Sequence, residues 1–522
     1  MLRDVNTTDI SDAIHLGCET MQRVFNPNDD NCPYFDARAW PSDEVGFGFM
    51  SLYTEAHVPG RHLLALLDAE DAVGASVSDE AITRHRRALM YSLNNPLKLP
   101  LNRVAMGDKP TVFADHNLRE ALHGLYALVR FRSDTQAEQV AEQIIDAVFD
   151  LWKPDTGWNV PPMEAAGFQL EERTFVWGPA RCIGSLVRYH QATQSSRALE
   201  LAVMLAGKAT DEFYAADGAF NRERFGSHTH SATCTLSGLA QLAALQGDQS
   251  LMSRVRAFYD NGLNALRDEL GWVQEHVGTT WSNPERGECN NTGDILEAAL
   301  TLAAHGYPTY YADTERMLRC HLLPAQLRDV SFIEQPENPE SRDAMRDVAE
   351  RMRGAWGFPA PYGHRPLDVK VVDFCLDIVG GTVSSLCEAW RACVSSDKAG
   401  TRVNMLFDRD HPAVSIESPY THDALRVTPR KPGPLSVRIP PWVDRASLKV
   451  DVPGDVGHQW IDAYLYFDKP RVGEPISIRF DLAPSEIALH HVKHDIRVQL
   501  QGDAVSAMDG FGDDLNFFPP VN

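Results

Sequence analysis

Five stretches of the 522-residue chain place chemically capable side chains where a polar or glycine-containing loop turns into an apolar helix. They are His116 to Glu120 with His123, Trp177 with Arg181, His228 with His230, the run from Glu275 through Glu285 to Glu288-Cys289, and Trp356 with His364, Asp373, Cys375 and Asp377. Breaking a bond by acid–base chemistry needs a proton donor at the leaving atom and a base or nucleophile on the other side. Glu288 and Asp377, each entering a helix, are the carboxyl groups best placed for those two roles, and His228 opens a neighbouring helix and joins them as a catalytic candidate. His116, His123, Trp177, Arg181, His230, Glu275, Trp356 and His364 are read as contacts to a bound substrate. A plainer reading applies to Arg119, Glu120 and Asp294, which can pair with neighbours or complement a helix dipole. Cys182, Cys234, Cys320, Cys387 and Cys393 fall on apolar helical faces and read as core.

These junctions recur, and the recurrence gives the architecture. A loop opens an apolar helix, a short turn follows, and a second, striped helix returns. The pattern appears four times with a period of roughly 55–60 residues, longer than the common solenoid repeats. Its members are LYALVRF with QAEQVAEQIIDAVFDLW, IGSLVRYHQAT with SSRALELAVMLAGKATDEFY, ATCTLSGLAQLAALQGD with SLMSRVRAFYDNGLNAL, and TGDILEAALTLAAHGYP with TYYADTERMLRCHLL. A helix apolar on all sides belongs inside a ring, and a striped one faces water. ISDAIHLGCETMQRVF and RHLLALLDAEDAVG start such a ring, and TVSSLCEAWRACV closes it. After about Gly400 the grammar changes to short β-branched runs between Pro, Gly and Asp: RVNMLF, AVSIES, ALRVTP, LSVRIP, SLKVDV, AYLYFD and ISIRFDL. The expected fold is an α+β multidomain chain: an (α/α)6-type helical toroid over 1–398, an antiparallel β-sandwich over 399–500, and a tail over 501–522.

Composition narrows the partners. Seventy-two acidic against 49 basic residues give a formal charge of −23, which opposes nucleic acid and anionic membranes at long range. No apolar run is long enough to span a bilayer, and the N-terminus lacks the basic-then-apolar pattern of a leader. Nine scattered cysteines fit reduced thiols in a cytoplasm better than a disulfide framework. No phosphate loop or dinucleotide fingerprint is present. Nothing in the sequence sets the oligomeric state, and a homo-oligomer stays open.

Several segments resemble the bacterial β-L-arabinofuranosidase family. SHTHSATCTLSGLAQLAALQGDQSL is similar to its His-opened helix and GECNNTGDILEAALTLA to its Glu-x-Cys helix. TRVNMLFD, LSVRIPPWV and AYLYFDKPRVGEPISIRFDL are similar to its sandwich strands. The resemblance implies hydrolysis of a glycosidic bond in the toroid funnel, with a plant, algal or microbial oligosaccharide as the partner. It also implies a zinc ion held by a Glu, the Cys of the Glu-x-Cys motif and two adjacent cysteines, one of which is the nucleophile. Here Glu288 and Cys289 match the first motif without the intervening residue. The paired cysteines fall on Ile378-Val379-Gly380-Gly381-Thr382, with Cys375 the nearest thiol, so the zinc set implied is Glu288, Cys289 and Cys375. Ile and Val cannot replace a thiolate that both binds metal and attacks. The expectation is therefore a glycoside hydrolase using carboxylates. A polysaccharide lyase or sugar epimerase on the same fold, and a non-catalytic carbohydrate-binding protein, are the alternatives.

Overall fold

A computed structural model describes the chain apart from Trp281, Lys370, Asp455, His491, Val492 and Asn522. Twelve helices of eight residues or more lie among the described residues: α1 (Ile10–Met21), α2 (Val58–Val73), α3 (Asp79–Ser92), α4 (Leu118–Arg132), α5 (Thr135–Leu151), α6 (Cys182–Thr193), α7 (Ser196–Glu212), α8 (Thr229–Gln246), α9 (Gln249–Asp260), α10 (Cys289–Ala304), α11 (Tyr310–Met317) and α12 (Leu376–Ala392). The even-numbered helices pack in sequence, α2 on α4, α4 on α6, and so on to α12, which returns to α2 and closes the ring. The odd-numbered helices lie outside them.

The two layers differ as their sequences require. The inner α8 is buried over nearly its whole circumference, from Thr229 through Ala243, whereas the outer α9 buries one stripe, Leu251, Met252, Val255, Phe258 and Tyr259. Each such side chain removed from water contributes roughly 1.5–3 kcal/mol. The inner helices also approach one another at backbone distance. A Cβ at Gly60 would stand 1.9 Å from the Glu120 carbonyl oxygen, and one at Gly238 2.7 Å from the Gly184 nitrogen, so glycine at both positions is what lets α2 meet α4 and α8 meet α6.

The C-terminal β region begins at Val394. One five-stranded sheet runs Val394–Asp397, Gly400–Val403, Leu435–Arg438, Tyr464–Phe467, His458–Ile461; the other runs Arg409–His411, Val414–Glu417, Leu425–Pro429, Ile476–Arg479, Lys449–Asp451. All the pairings are antiparallel except Gly400–Val403 with Leu435–Arg438, which is parallel and departs from a wholly antiparallel sandwich. Buried alternate residues such as Val414, Ile416, Leu425 and Val427 fill the interior.

The C-terminal residues pack back on the body. Ala504–Met508 completes a three-stranded sheet with Pro484–His490 and Asp495–Gln501, and Phe517 donates its N–H to the Tyr362 carbonyl. The β region is fixed to the ring by a fully buried set, Glu315 with Arg319 at 3.0 Å and with Arg438. No described helix is long and apolar enough to cross a membrane, and all nine cysteines are unpaired.

Candidate active site

The six inner helices all begin at one end of the ring, and none of them has a side-chain N-cap. The residues just before them are His57, Asn117, Arg181, His228, Glu288 and Cys375. The first N–H groups of α8, α10 and α12 donate to the carbonyls of Glu275, Gly357 and Phe35, and the side chains just before them, His228, Glu288 and Cys375, face the axis. A cleft of about 340 Å³ opens there, and His116, Trp177, His228, His230, Glu275, Glu288, Cys375 and Asp377 line it. Sequence reasoning thus placed eight of its residues in one cleft.

The floor is an ion network. Glu120 is fully buried and receives Arg61 at 3.1 Å, Arg119 at 3.2 Å and Arg181 at 2.9 Å. Burial alone would raise its pKa, but Arg181, His57, Arg61 and Arg119 hold it well below the usual carboxylate range. Arg119 also pairs with Asp294 at 3.3 Å, so the pairing reading of Arg119, Glu120 and Asp294 matches the geometry. Asp377 stands on this floor. His57 Nε2 lies 3.1 Å from Asp377 Oδ2 and Arg61 Nε 3.6 Å from it. Its burial is outweighed by the hydrogen bond and charge of His57 and by Arg61, which lower its pKa. His57 is itself held through Nδ1, 2.8 Å from Asn117 Oδ1, so both ring nitrogens face oxygen acceptors.

The wall around Glu288 has the opposite character. Its carboxyl is buried and its charged neighbours include Glu275 and Asp377, so desolvation first and those two carboxylates second push its pKa up to about 8; Arg61 and the Asn290 amide, which donates at 3.2 Å, offset this only in part. His230 Nδ1 lies 3.6 Å from Glu288 Oε1. Beside it, aromatic faces are stacked: Trp177 on His228 at 4.7 Å and His116 on His57 at 5.1 Å, with Tyr53 edge-on to both His57 and His116.

Five expectations are corrected. Arg181 lies beneath the cleft, its guanidinium spent on Glu120 and His116. His123 sits one turn deeper on α4, lining a separate small cavity with Arg119 and Arg188. Trp356 is wholly buried and donates its indole N–H to the Leu322 carbonyl at 2.7 Å. His364 is packed edge-on against Phe374 and Phe517. Cys289 belongs to the apolar core, because the first residue inside α10 turns away from the face that its predecessor Glu288 presents.

The zinc set implied by the resemblance therefore does not fit. Glu288, Cys289 and Cys375 form no cluster of converging donor atoms, and burial together with Asp377 and Asp36 holds the Cys375 thiol well above its usual range. The cleft-lining trio whose donor atoms lie within 4.8 Å of one another is, among the described residues, His228, His230 and Glu288. Its His230 has Arg61 and Arg181 guanidinium nitrogens at 3.3 and 3.4 Å, cations that oppose a dication there.

Reading the junctions missed Phe35, Asp36, Tyr53, His57, His276, Arg286 and Phe358, all of which line the cleft. Asp36 arrives because its strand, Asp36–Trp40, pairs with Val372–Cys375, with Asp36 opposite Cys375. His57 stood just before the RHLLALL helix and carried the same signal as His228, a histidine at the start of an inner helix.

No protein-family model and no curated protein matches the sequence. Solved structures do match in fold. A glycoside hydrolase family 127 β-L-arabinofuranosidase from Geobacillus stearothermophilus T6 superposes with a TM-score of 0.55 at 12% identity, over 96% of this chain and 86% of that one. A second family 127 β-arabinofuranosidase gives 0.54 at 13% identity, over 96% and 83%. A protein described as a glycoside hydrolase gives 0.54 at 14%, over 85% and 76%. This chain shares their architecture of helical toroid and β-sandwich.

Proposed function

We propose that the protein is a glycoside hydrolase that cleaves an oligosaccharide or glycoside in this cleft, with Glu288 as proton donor and Asp377 as base or nucleophile. The observation that carries the reading is that two carboxyl groups facing one cleft are held in opposite states. Glu288 keeps its proton up to about pH 8, while Asp377 is ionised by His57 and Arg61. Environments that push two acid groups apart in this way assign the acid and the base.

Glu288 then delivers its proton to the leaving oxygen, and Asp377 attacks or activates water from the floor as positive charge develops on the sugar ring. Tyr53 offers an apolar ring to sugar C–H groups, which positions the substrate without changing charge. The names of the structurally similar proteins, β-arabinofuranosidases among them, support a sugar as substrate. The nine unpaired thiols support a reducing compartment such as the cytoplasm.

The test is a panel of oligosaccharides and aryl glycosides. New reducing ends without a rise in ultraviolet absorbance are expected. A rise on uronate polymers would instead make the protein a lyase, and saturable binding with no turnover a binding protein. Catalysis is expected to survive chelation and the Cys375→Ala change, and stoichiometric zinc lost together with activity in that variant would overturn the carboxylate mechanism.

A further inference from the structure

The charged groups around the cleft point to a substrate class. We propose that the cleft selects an uncharged sugar and rejects acidic sugars, and that Glu275 and Asp373 set this selection by occupying Arg286. The proposal rests on the reading of this cleft as the sugar site.

Recognition of a uronate, sulfate or phosphate group calls for a free guanidinium fork, an ammonium or open backbone N–H groups. Arg286 is the one arginine among the described residues that line the cleft. Its Nε donates to Glu275 Oε2 at 2.7 Å, and its two terminal nitrogens donate to Asp373 Oδ1 and Oδ2 at 2.6 and 3.1 Å. Its face lies 3.5 Å from the centroid of the Phe358 ring. Each of its three nitrogens donates to a carboxylate, and two carboxylates against one guanidinium leave a negative surplus.

The other arginines nearby are committed as well. Arg61 and Arg181 lie under the floor on Glu120, and Arg173 sits over the Trp177 ring with Glu171 at 3.3 Å. Asp36, by contrast, lines the cleft with no ion pair among the described residues, its recorded side-chain contact being the Cys375 Sγ at 3.8 Å. An acidic sugar entering here would lose its water and meet carboxylates, with no free guanidinium or ammonium among the described residues that line the cleft. A neutral sugar meets the same carboxylates as acceptors for its hydroxyl groups.

The experiment is calorimetric binding of matched pairs, glucoside with glucuronide, galactoside with galacturonide and the corresponding disaccharides, with hydrolysis followed on the same pairs. The neutral member of at least one pair is expected to bind ~10-fold or more tightly than its acidic twin. Equal or tighter binding of the acidic member, or binding of neither member in every pair, overturns the proposal. Selective binding without hydrolysis would end the hydrolase reading and leave the charge selection standing.

The double variant Glu275→Gln with Asp373→Asn frees Arg286 and is expected to narrow the ratio ~10-fold or more. An unchanged ratio in a folded variant overturns the role of Arg286. Asp36→Asn, which leaves Arg286 clamped, is expected to narrow the ratio less. Circular dichroism and melting confirm folding, and the wild-type ratio decides the charge selection even where the double variant does not fold.

Discussion

The outer and inner helices begin in opposite ways. Five of the six outer helices, α1, α3, α5, α7 and α9, are each capped by a short polar side chain, Asp9, Ser78, Asp134, Ser195 and Asp248, and α11 alone starts without one. The inner helices start with His57, Asn117, Arg181, His228, Glu288 and Cys375, none of which caps its own helix. A missing cap costs a helix about 0.5–2 kcal/mol. The inner ring accepts that cost because packing on two neighbours holds each helix, and the positions so released carry the groups of the cleft. Stability and chemistry are thus assigned to opposite layers of one repeat.

Four variants break or sharpen this contrast. Glu288→Gln is expected to lower kcat by roughly 10²–10⁴-fold, the usual range for removing a general acid. It should not lower the melting temperature. Glu288 has its pKa raised from 4.5 to about 8 in the fold, so its stabilising contribution is complete below pH 4.5 and is lost as pH rises through about 8, where the unfolded chain has already released the proton. The amide removes that dependence, and melting curves of both forms between pH 5 and pH 9 check it.

Glu120→Gln should act mainly on stability, by about 3–5 kcal/mol in denaturant unfolding, because it leaves Arg61, Arg119 and Arg181 buried against a neutral group. A folded and active Glu120→Gln protein of normal stability would refute the floor as described.

Glu275→Gln should move the alkaline limb of the rate profile below pH 8, since the Glu275 carboxylate is, after burial, the first contributor to the raised Glu288 pKa. A limb that stays in place would show that Glu288 is not the group titrating. The smallest effect belongs to the outer layer: Asp248→Ala, removing the cap hydrogen bonds to the Ser250 and Leu251 N–H groups, should cost about 1 kcal/mol of stability and leave kcat unchanged.

Much of the cleft was legible because its residues sit at helix starts, a local feature. His228, Glu288 and Asp377 each adjoin the boundary between a polar loop and an apolar run, and that boundary is written in consecutive residues. His57 was equally readable and was passed over for want of a preceding glycine-rich loop. Asp36 and Arg286 were not readable in this way. Asp36 reaches the site through a strand whose partner lies more than three hundred residues away in sequence, at Cys375. Arg286 gains its meaning from Glu275 on one side and Asp373 on the other.

What the sequence by itself determined is the repeat of apolar and striped helices, the change to β-branched runs near residue 400, and which helix starts carry ionisable groups. These follow from side-chain period and loop composition, which act over a few residues. What only the tertiary structure decided is the charge each group carries and the direction each side chain takes. Glu120 and Glu288 are both buried carboxyl groups at inner helix starts, yet neighbouring arginines ionise the first, while burial, reinforced by two carboxylates, keeps the proton on the second. Cys289 follows Glu288 in the chain and still points into the core, because one residue along a helix turns the side chain to another face. Burial and neighbouring charge are sums over residues distant in sequence, and they exist only once the ring has closed.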